Sequence, residues 1–182
     1  MTRDATDGRQ LAGLGVDGDI GMWFDVIDPG PLTTLQDRGR PRLAHMGVPP
    51  SGALDRPSAA LANRLAGNPE TAAVLETTVS GPVLRLAGDP GGAVVLVMTG
   101  APNEVSVDGE PVALHELLAL RVGQTLTVGR AHQGLRNYLA VRGGFVAEAV
   151  LDSCSTDLLS GLGPPVLRAG DRLACGAPTG PP

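Results

Sequence analysis

Polar side chains able to bind or turn over a small ligand fall into four short segments of the 182-residue sequence, each threaded with glycine or proline. In "LTTLQDRGRPR" a carboxamide and a carboxylate, Gln36 and Asp37, precede arginines at alternating positions, Arg38, Arg40 and Arg42. "GVPPSGALD" carries Ser51 and Asp55, and "NRLAGNPETAAVLETT" carries Asn63, Asn68 and Glu76. The last pair of runs, "YLAVRGG" and "LDSCSTD", carries Arg142, Gly143, Gly144, Ser153, Ser155 and Thr156. Guanidinium groups and glycine-freed backbone N–H groups are the usual stabilisers of anionic charge. Each group also has a plain structural use. Asp37 can cap its own turn, the arginines can form a solvated edge, and Ser51 and Asp55 suit turn and helix caps. Glu76 is harder to place in that way. It interrupts an apolar, β-branched strand, where a carboxylate needs a partner or a cavity. Arg142 is one candidate partner for it.

Composition narrows the chemistry. The fourteen basic residues beside the three histidines are all arginine. Without lysine these residues form no Schiff base, supply no P-loop lysine, and carry no biotin or lipoate on a side-chain amine. A net charge of −5 and four aromatics, Trp23, Phe24, Tyr138 and Phe145, argue against nucleic-acid binding, because cationic footprint and stacking platform are both missing. Cys154 and Cys175 form no C-x-x-C pair, and the three histidines lack metal-ligand spacing, so no metal is expected. No run is apolar and long enough for a membrane helix and no signal-peptide layout opens the sequence, so the expected compartment is the cytoplasm.

The elements that must hold these groups are mostly short strands, as 26 glycines and 16 prolines imply. Strands are predicted at "MWFDVI", "PVLRLAG" (82–88), "AVVLVMTG" (93–100) and "LRNYLAVRGG" (135–144). "NEVSVDGEPVAL" is expected to form a hairpin about Asp108-Gly109. "RVGQTLTVG" (121–129) and "RAGDRLACG" (168–176) share the spacing R-x-G-x-x-L-x-x-G, each expected to be a tight turn followed by a strand. One helix is predicted, capped by Asp55, with Pro57 in its first turn, Leu61 and Leu65 facing inward, and Gly67 ending it. Residues 1–21 are expected to be a disordered lead and residues 177–182 a loose tail, around one mainly β domain at 22–176 with one or two short helices, closed or half-closed as a barrel.

Taken together, "PGPLTTLQDRGRPRLAHMGVPPSGALD", "ANRLAGNPETAAVLETTVSGPVLRL", "GLRNYLAVRGGF" and "STDLLSGLGPPVLRAGDRL" resemble the family of the C-type subunit of 5-oxoprolinase, also called allophanate hydrolase subunit 2 or the KipA-type biotin-dependent carboxyltransferase family. The resemblance covers residues 24–176. It implies a cyclophilin-like β-barrel and two kinds of partner, one KipI-like and one of LamB/YcsF type. With them, 5-oxoproline is cleaved to L-glutamate using ATP bound through the complex. The alternatives it implies are a carboxyltransferase module of a urea carboxylase or allophanate hydrolase-type system, a non-catalytic KipA-like regulatory module, or an inactive remnant. Family members continue into a second, similar half, so this sequence reads as the first half. Three residues depart from the family pattern. Asp152 and Cys154 stand where a "GSRST"-like motif has Gly and Arg, and Arg42 stands where glycine is usual. On this reading Asp37 and Glu76 position water or a proton. Gln36, Arg40, Ser51, Asp55, Asn63, Arg142, Ser155 and Thr156 contact substrate or phosphate, with Arg40 and Arg142 neutralising its charge.

Overall fold

The computed structural model describes residues 21–178, so all of the expected 1–21 lead but Gly21, and most of the expected tail, lie outside the described residues. In chain order the elements are β1 (Met22–Asp28), β2 (Thr33–Gln36), α1 (Arg56–Ala66), β3 (Val74–Thr78), β4 (Val83–Gly88), β5 (Ala93–Gly100), β6 (Asn103–Val107), β7 (Glu110–Val112), β8 (Leu118–Arg121), β9 (Thr125–Ala131), β10 (Arg136–Val141) and β11 (Arg172–Ala174). A short 3-10 turn, Ala44–Met46, precedes α1. The strands form two antiparallel sheets, ordered β11-β1-β4-β9-β6-β7 and β2-β3-β10-β5-β8. The mainly β class is as predicted. The barrel is not closed. Each sheet keeps its own edge strands, and among the described residues the two are laced at corners, where Ser80 bridges Thr78 and Arg130, and Phe145 bridges Cys175.

Strand alternation decides what each sheet buries. Leu75 of β3, Leu139 and Val141 of β10, and Leu96 and Met98 of β5 point between the sheets. There they meet Phe24, Leu84, Leu86, Leu126 and Leu173 from the six-stranded sheet. Each fully buried side chain of this kind contributes about 1.5–3 kcal/mol. The opposite parity, Val74, Val97, Tyr138 and Ala140, faces outward and is covered by α1.

α1 begins and ends as the sequence predicts. Asp55 caps Ser58 N at 3.1 Å, Pro57 lies in the first turn, and Gly67 closes the helix in the left-handed region with φ 76°. Its buried face differs from expectation. Ala59, Ala62, Asn63 and Ala66 pack on the sheet, whereas Leu61 and Leu65 are only partly buried. Small side chains let the helix axis lie close to the strands, and the leucines flank the contact instead of filling it.

The two R-x-G-x-x-L-x-x-G runs form the same structure twice. Gln124 N bonds Arg121 O at 3.0 Å and Asp171 N bonds Arg168 O at 3.1 Å, over glycines with φ 94° and 87°. That is the positive-φ third position of a type II turn. Each turn docks on a neighbouring strand through a reciprocal backbone pair, Gly123 and Gln124 with Leu86, Gly170 and Asp171 with Val26. The Asp108-Gly109 hairpin also forms as predicted, with φ 51° and 89°.

Between β10 and β11 residues 142–171 form a long irregular segment, and connections of this length commonly carry function. It lies along the free side of β2, held by Thr156 N to Leu35 O (2.9 Å) and Leu167 N to Thr33 O (3.0 Å).

Candidate functional site

Antiparallel register aligns Thr34, Glu76, Tyr138 and Thr99 in one row across the outer face of the five-stranded sheet. Gln36 lies two residues along β2 on that same face, donating to Thr34 Oγ1 (3.1 Å) and to Thr156 O (3.1 Å). The predicted residues gather around this row in three hydrogen-bonded knots.

The first knot ties the β2 turn to the 142–171 segment. Asp37 Oδ1 accepts from Gly39 N (2.7 Å), Ser153 Oγ (2.7 Å) and Ser155 Oγ (2.5 Å), and Oδ2 accepts from Cys154 N (2.7 Å). Arg40 is 1% exposed despite its charge. Its guanidinium donates to Val150 O (3.2 Å), Ser51 Oγ (3.2 Å), Ser153 O (3.3 Å) and Ser155 O (2.7 Å). A cation dispersed over carbonyl and hydroxyl oxygens is a buried organiser, satisfied at nearly every N–H. The glycine of the "DRGR" run has a local explanation here. Gly39 passes so near the 50–53 backbone that a Cβ would lie 2.2 Å from Pro50 O. Cys154, at the position where the family pattern has arginine, turns its sulfur toward Ala147 O (3.4 Å) and packs against the inter-sheet core. Burial raises its thiol pKa, the Asp37 charge adds to that, and Arg40 opposes it. An unactivated packing thiol is the result. Beside it Asp157 is held below the usual carboxylate range. Burial would raise it, but donors from Leu159, Ser160 and Ser51 outweigh burial.

The second knot surrounds Glu76, which is 7% exposed. Its Oε2 accepts from Tyr138 Oη (2.7 Å) and Leu54 N (2.7 Å), while Tyr138 Oη accepts from Asp55 N (2.7 Å). The cation beside Glu76 is Arg136, with Nε 3.8 Å from Oε1. Burial raises the Tyr138 phenol far above its ordinary value, the Asp55 N–H it accepts from opposes that, and the Glu76 carboxylate adds to the rise. Asp55 is thus both cap and anchor, its carboxylate engaged by Ser58 N and Oγ (2.6 Å).

The third knot lies at the other end of α1. Asn63 Nδ2 donates to Ala72 O (2.9 Å), and Asn63 Oδ1 accepts from Asn68 (3.2 Å). Asn68 in turn holds Val141 O (2.7 Å) and Gly143 N (2.8 Å). Arg142 sits between these last two residues. Eleven helical residues, about 16 Å of rise, separate this end from Asp55.

Gln36, Asp37, Arg40, Ser51, Ser155 and Thr156 are therefore brought together. Glu76 and Asp55 adjoin them through the 51–55 segment, and Asn63 and Arg142 are set apart. Between the β2 turn and α1 lies a cleft of about 470 Å³, and of the predicted residues only Asp37 and Asn63 line it. Its other polar walls are Arg38, Arg56 and Glu70. Glu70 pairs with Arg64 (3.0 Å) and with Arg38, and these two bonds lower its pKa. Reasoning from sequence missed Arg56, Glu70, Arg136 and Tyr138. Tyr138 had one available signal, the chain's sole tyrosine in an alternating strand; the others look like ordinary surface charges.

This fold and this set of turns define a carboxyltransferase-type domain. Residues 46–182 match the family described as "Carboxyltransferase domain, subdomain A and B", and the chain belongs to that family. It is 39% identical over 154 residues to the C-type subunit of 5-oxoprolinase from Escherichia coli, covering 83% of this chain and 48% of that protein. It is 35% identical over 159 residues to urea amidolyase of Lachancea kluyveri, covering 85% of this chain and 8% of that protein. The crystal structure of the K. lactis urea amidolyase superposes with a TM-score of 0.81 at 33% identity, over 90% of this chain and 10% of that one. The chain thus spans about half the length of the matched 5-oxoprolinase component and a small part of the amidolyases. Among the described residues no helix is long and apolar enough to cross a membrane, and no cluster of side chains has metal-binding arrangement.

Proposed function

We propose that this chain is the carboxyltransferase-family domain of a C-type 5-oxoprolinase component. On this reading it works in the cytoplasm with a KipI-like partner and a LamB/YcsF-type partner to open 5-oxoproline to L-glutamate. The observation that carries this reading is the 39% identity to the Escherichia coli 5-oxoprolinase component across most of the chain. ATP, bound through the complex, supplies the activation of the lactam carbonyl that makes the ring C–N bond hydrolysable by water. The chain's own residues divide this work. Asp37 and Arg40 hold the turn and the 142–171 segment as one wall. Glu76 and Tyr138 fix the 54–55 peptide at the start of α1. Arg56 is left at the cleft as a cation able to meet developing or resident negative charge, beside Arg38, which Glu70 engages. With no lysine, the chain acts on what partners deliver and carries no covalent biotin.

The likeness to urea amidolyase favours one second reading, carboxyl transfer to urea or a related amide, with carboxybiotin delivered by another protein. Coexpression of the full-length component with its KipI-like and LamB/YcsF-type partners separates the two. Glutamate and phosphate released from 5-oxoproline and ATP support the main reading. A carboxylated amide formed from carboxybiotin and urea, with no glutamate from 5-oxoproline, overturns it. Binding to the KipI-like partner with neither product overturns both in favour of a regulatory module.

A further inference from the structure

We propose that the cleft between the β2 turn and α1 is a binding site for a small carboxylate with a compact apolar body, its carboxylate held by Arg56. The floor is apolar and built of short side chains, Ala53, Ala59, Ala60, Ala72 and Val74. Such a floor suits a compact apolar body and itself offers no side-chain hydrogen-bond partner to a wholly polar solute such as urea. The cleft's volume of about 470 Å³ lies within the ordinary range for small-ligand sites.

The charges at the cleft are not equally available. Asp37 spends its carboxylate on four donors, and Glu70 is engaged by Arg38 and Arg64. Arg38 is in turn paired with Glu70. Arg56 has no carboxylate within 4 Å among the described residues, and it is exposed at the cleft wall. It is also the first residue of α1, where the helix dipole disfavours a cation, and the first turn contains no acidic residue to offset it. The nearest acid along the chain, Asp55, is occupied by Ser58. An exposed guanidinium above an apolar floor selects an anion with hydrocarbon behind it, and a planar carboxylate matches its fork.

Identifying that carboxylate with 5-oxoproline rests on the functional reading above; the site's chemistry does not. Isothermal titration of the full 182-residue chain with four probes tests the site directly. Cyclopentanecarboxylate and 5-oxoproline are expected to bind. Urea and 2-pyrrolidinone, which lack the carboxylate, are expected to bind at least about tenfold more weakly. Arg56→Glu should abolish carboxylate binding, Arg56→Lys should keep part of it, and Arg121→Ala, in a remote turn, should leave it unchanged. Absence of carboxylate binding at millimolar concentration, equal binding of the neutral probes, or full binding by a folded Arg56→Glu variant overturns the proposal. In the assembled complex the two readings come apart. Carboxylate binding here without glutamate formation keeps the site and removes the 5-oxoprolinase reading. Glutamate formation with an unchanged KM for 5-oxoproline in Arg56→Glu keeps that reading and overturns 5-oxoproline as the carboxylate bound at this cleft.

Discussion

The two faces of the five-stranded sheet obey opposite rules. Toward the six-stranded sheet, Leu75, Leu96, Met98, Leu139 and Val141 bury hydrocarbon against hydrocarbon and need only shape. On the outer face, within the same strands and one residue away, stand Glu76, Thr99 and Tyr138. These are buried polar groups, and each is held by a directed hydrogen bond. The inner face is tolerant of exchange among apolar side chains of similar size. The outer face is not, since deleting one partner orphans another. A strand with alternating roles can thus serve one side as core and the other as scaffold for a site.

Arg40 gives the largest expected break. Arg40→Met preserves much of the buried length but removes four charge-assisted hydrogen bonds; Ser155 O loses its donor, while Val150 O and Ser153 O keep only their backbone donors, Ser153 N and Val150 N. We expect a loss of about 3–5 kcal/mol in chemical denaturation, from four lost hydrogen bonds to a charged group and one carbonyl left unpaired. Limited proteolysis should then cut within 150–163 well before global unfolding. An intact segment and a stability change under about 1 kcal/mol would show that the guanidinium is not the organiser of that wall. Leu139→Ala sharpens the contrast from the inner face. Its cost should be about 2–5 kcal/mol of global stability, with the 150–163 segment no more exposed to protease than before.

The contrast also explains which parts of the molecule could be read in advance. Local rules carry short-range features. Asp108-Gly109 makes its hairpin, Asp55 and Gly67 bound α1, and the twin R-x-G-x-x-L runs make twin turns, because each depends on a few adjacent residues. Leu61 and Leu65 mislead because helix periodicity marks two faces here, and alanine gains more by close approach than leucine does by size. Glu76 was recognisable as anomalous but its partners were not. That Tyr138 and Arg136, and not Arg142, meet it is a consequence of the β3–β10 register, which joins residues 62 apart in the chain. Arg40 illustrates the same limit. Its type suggests a ligand, whereas the carbonyls it serves come from a segment over a hundred residues later. The closure of the barrel was beyond local rules for the same reason, since it depends on whether distant edges pair.

The smallest expected effect is at Tyr138, and pH distinguishes its polar role from its packing role. Tyr138→Phe keeps the ring beneath α1 and removes one hydroxyl, leaving Asp55 N without its acceptor while Glu76 retains Leu54 N. At neutral pH the cost should be about 1–2 kcal/mol. In the folded protein burial and the adjacent Glu76 raise the phenol's pKa above the ordinary value of 10.0, so folding favours the neutral phenol. The stabilisation is complete below pH 10 and is lost progressively as pH rises above it, because the unfolded chain then releases the proton more readily. Cys175, pushed up to about 12 by burial from 9.0, adds a loss of the same sign between those values in both proteins. Denaturation curves collected from about pH 7 to 11 should therefore show the gap between wild type and Tyr138→Phe closing only above pH 10. A gap constant with pH would mean that the tyrosine ionises as freely when folded as when unfolded, and that the outer face is less sealed from water than its hydrogen bonds require.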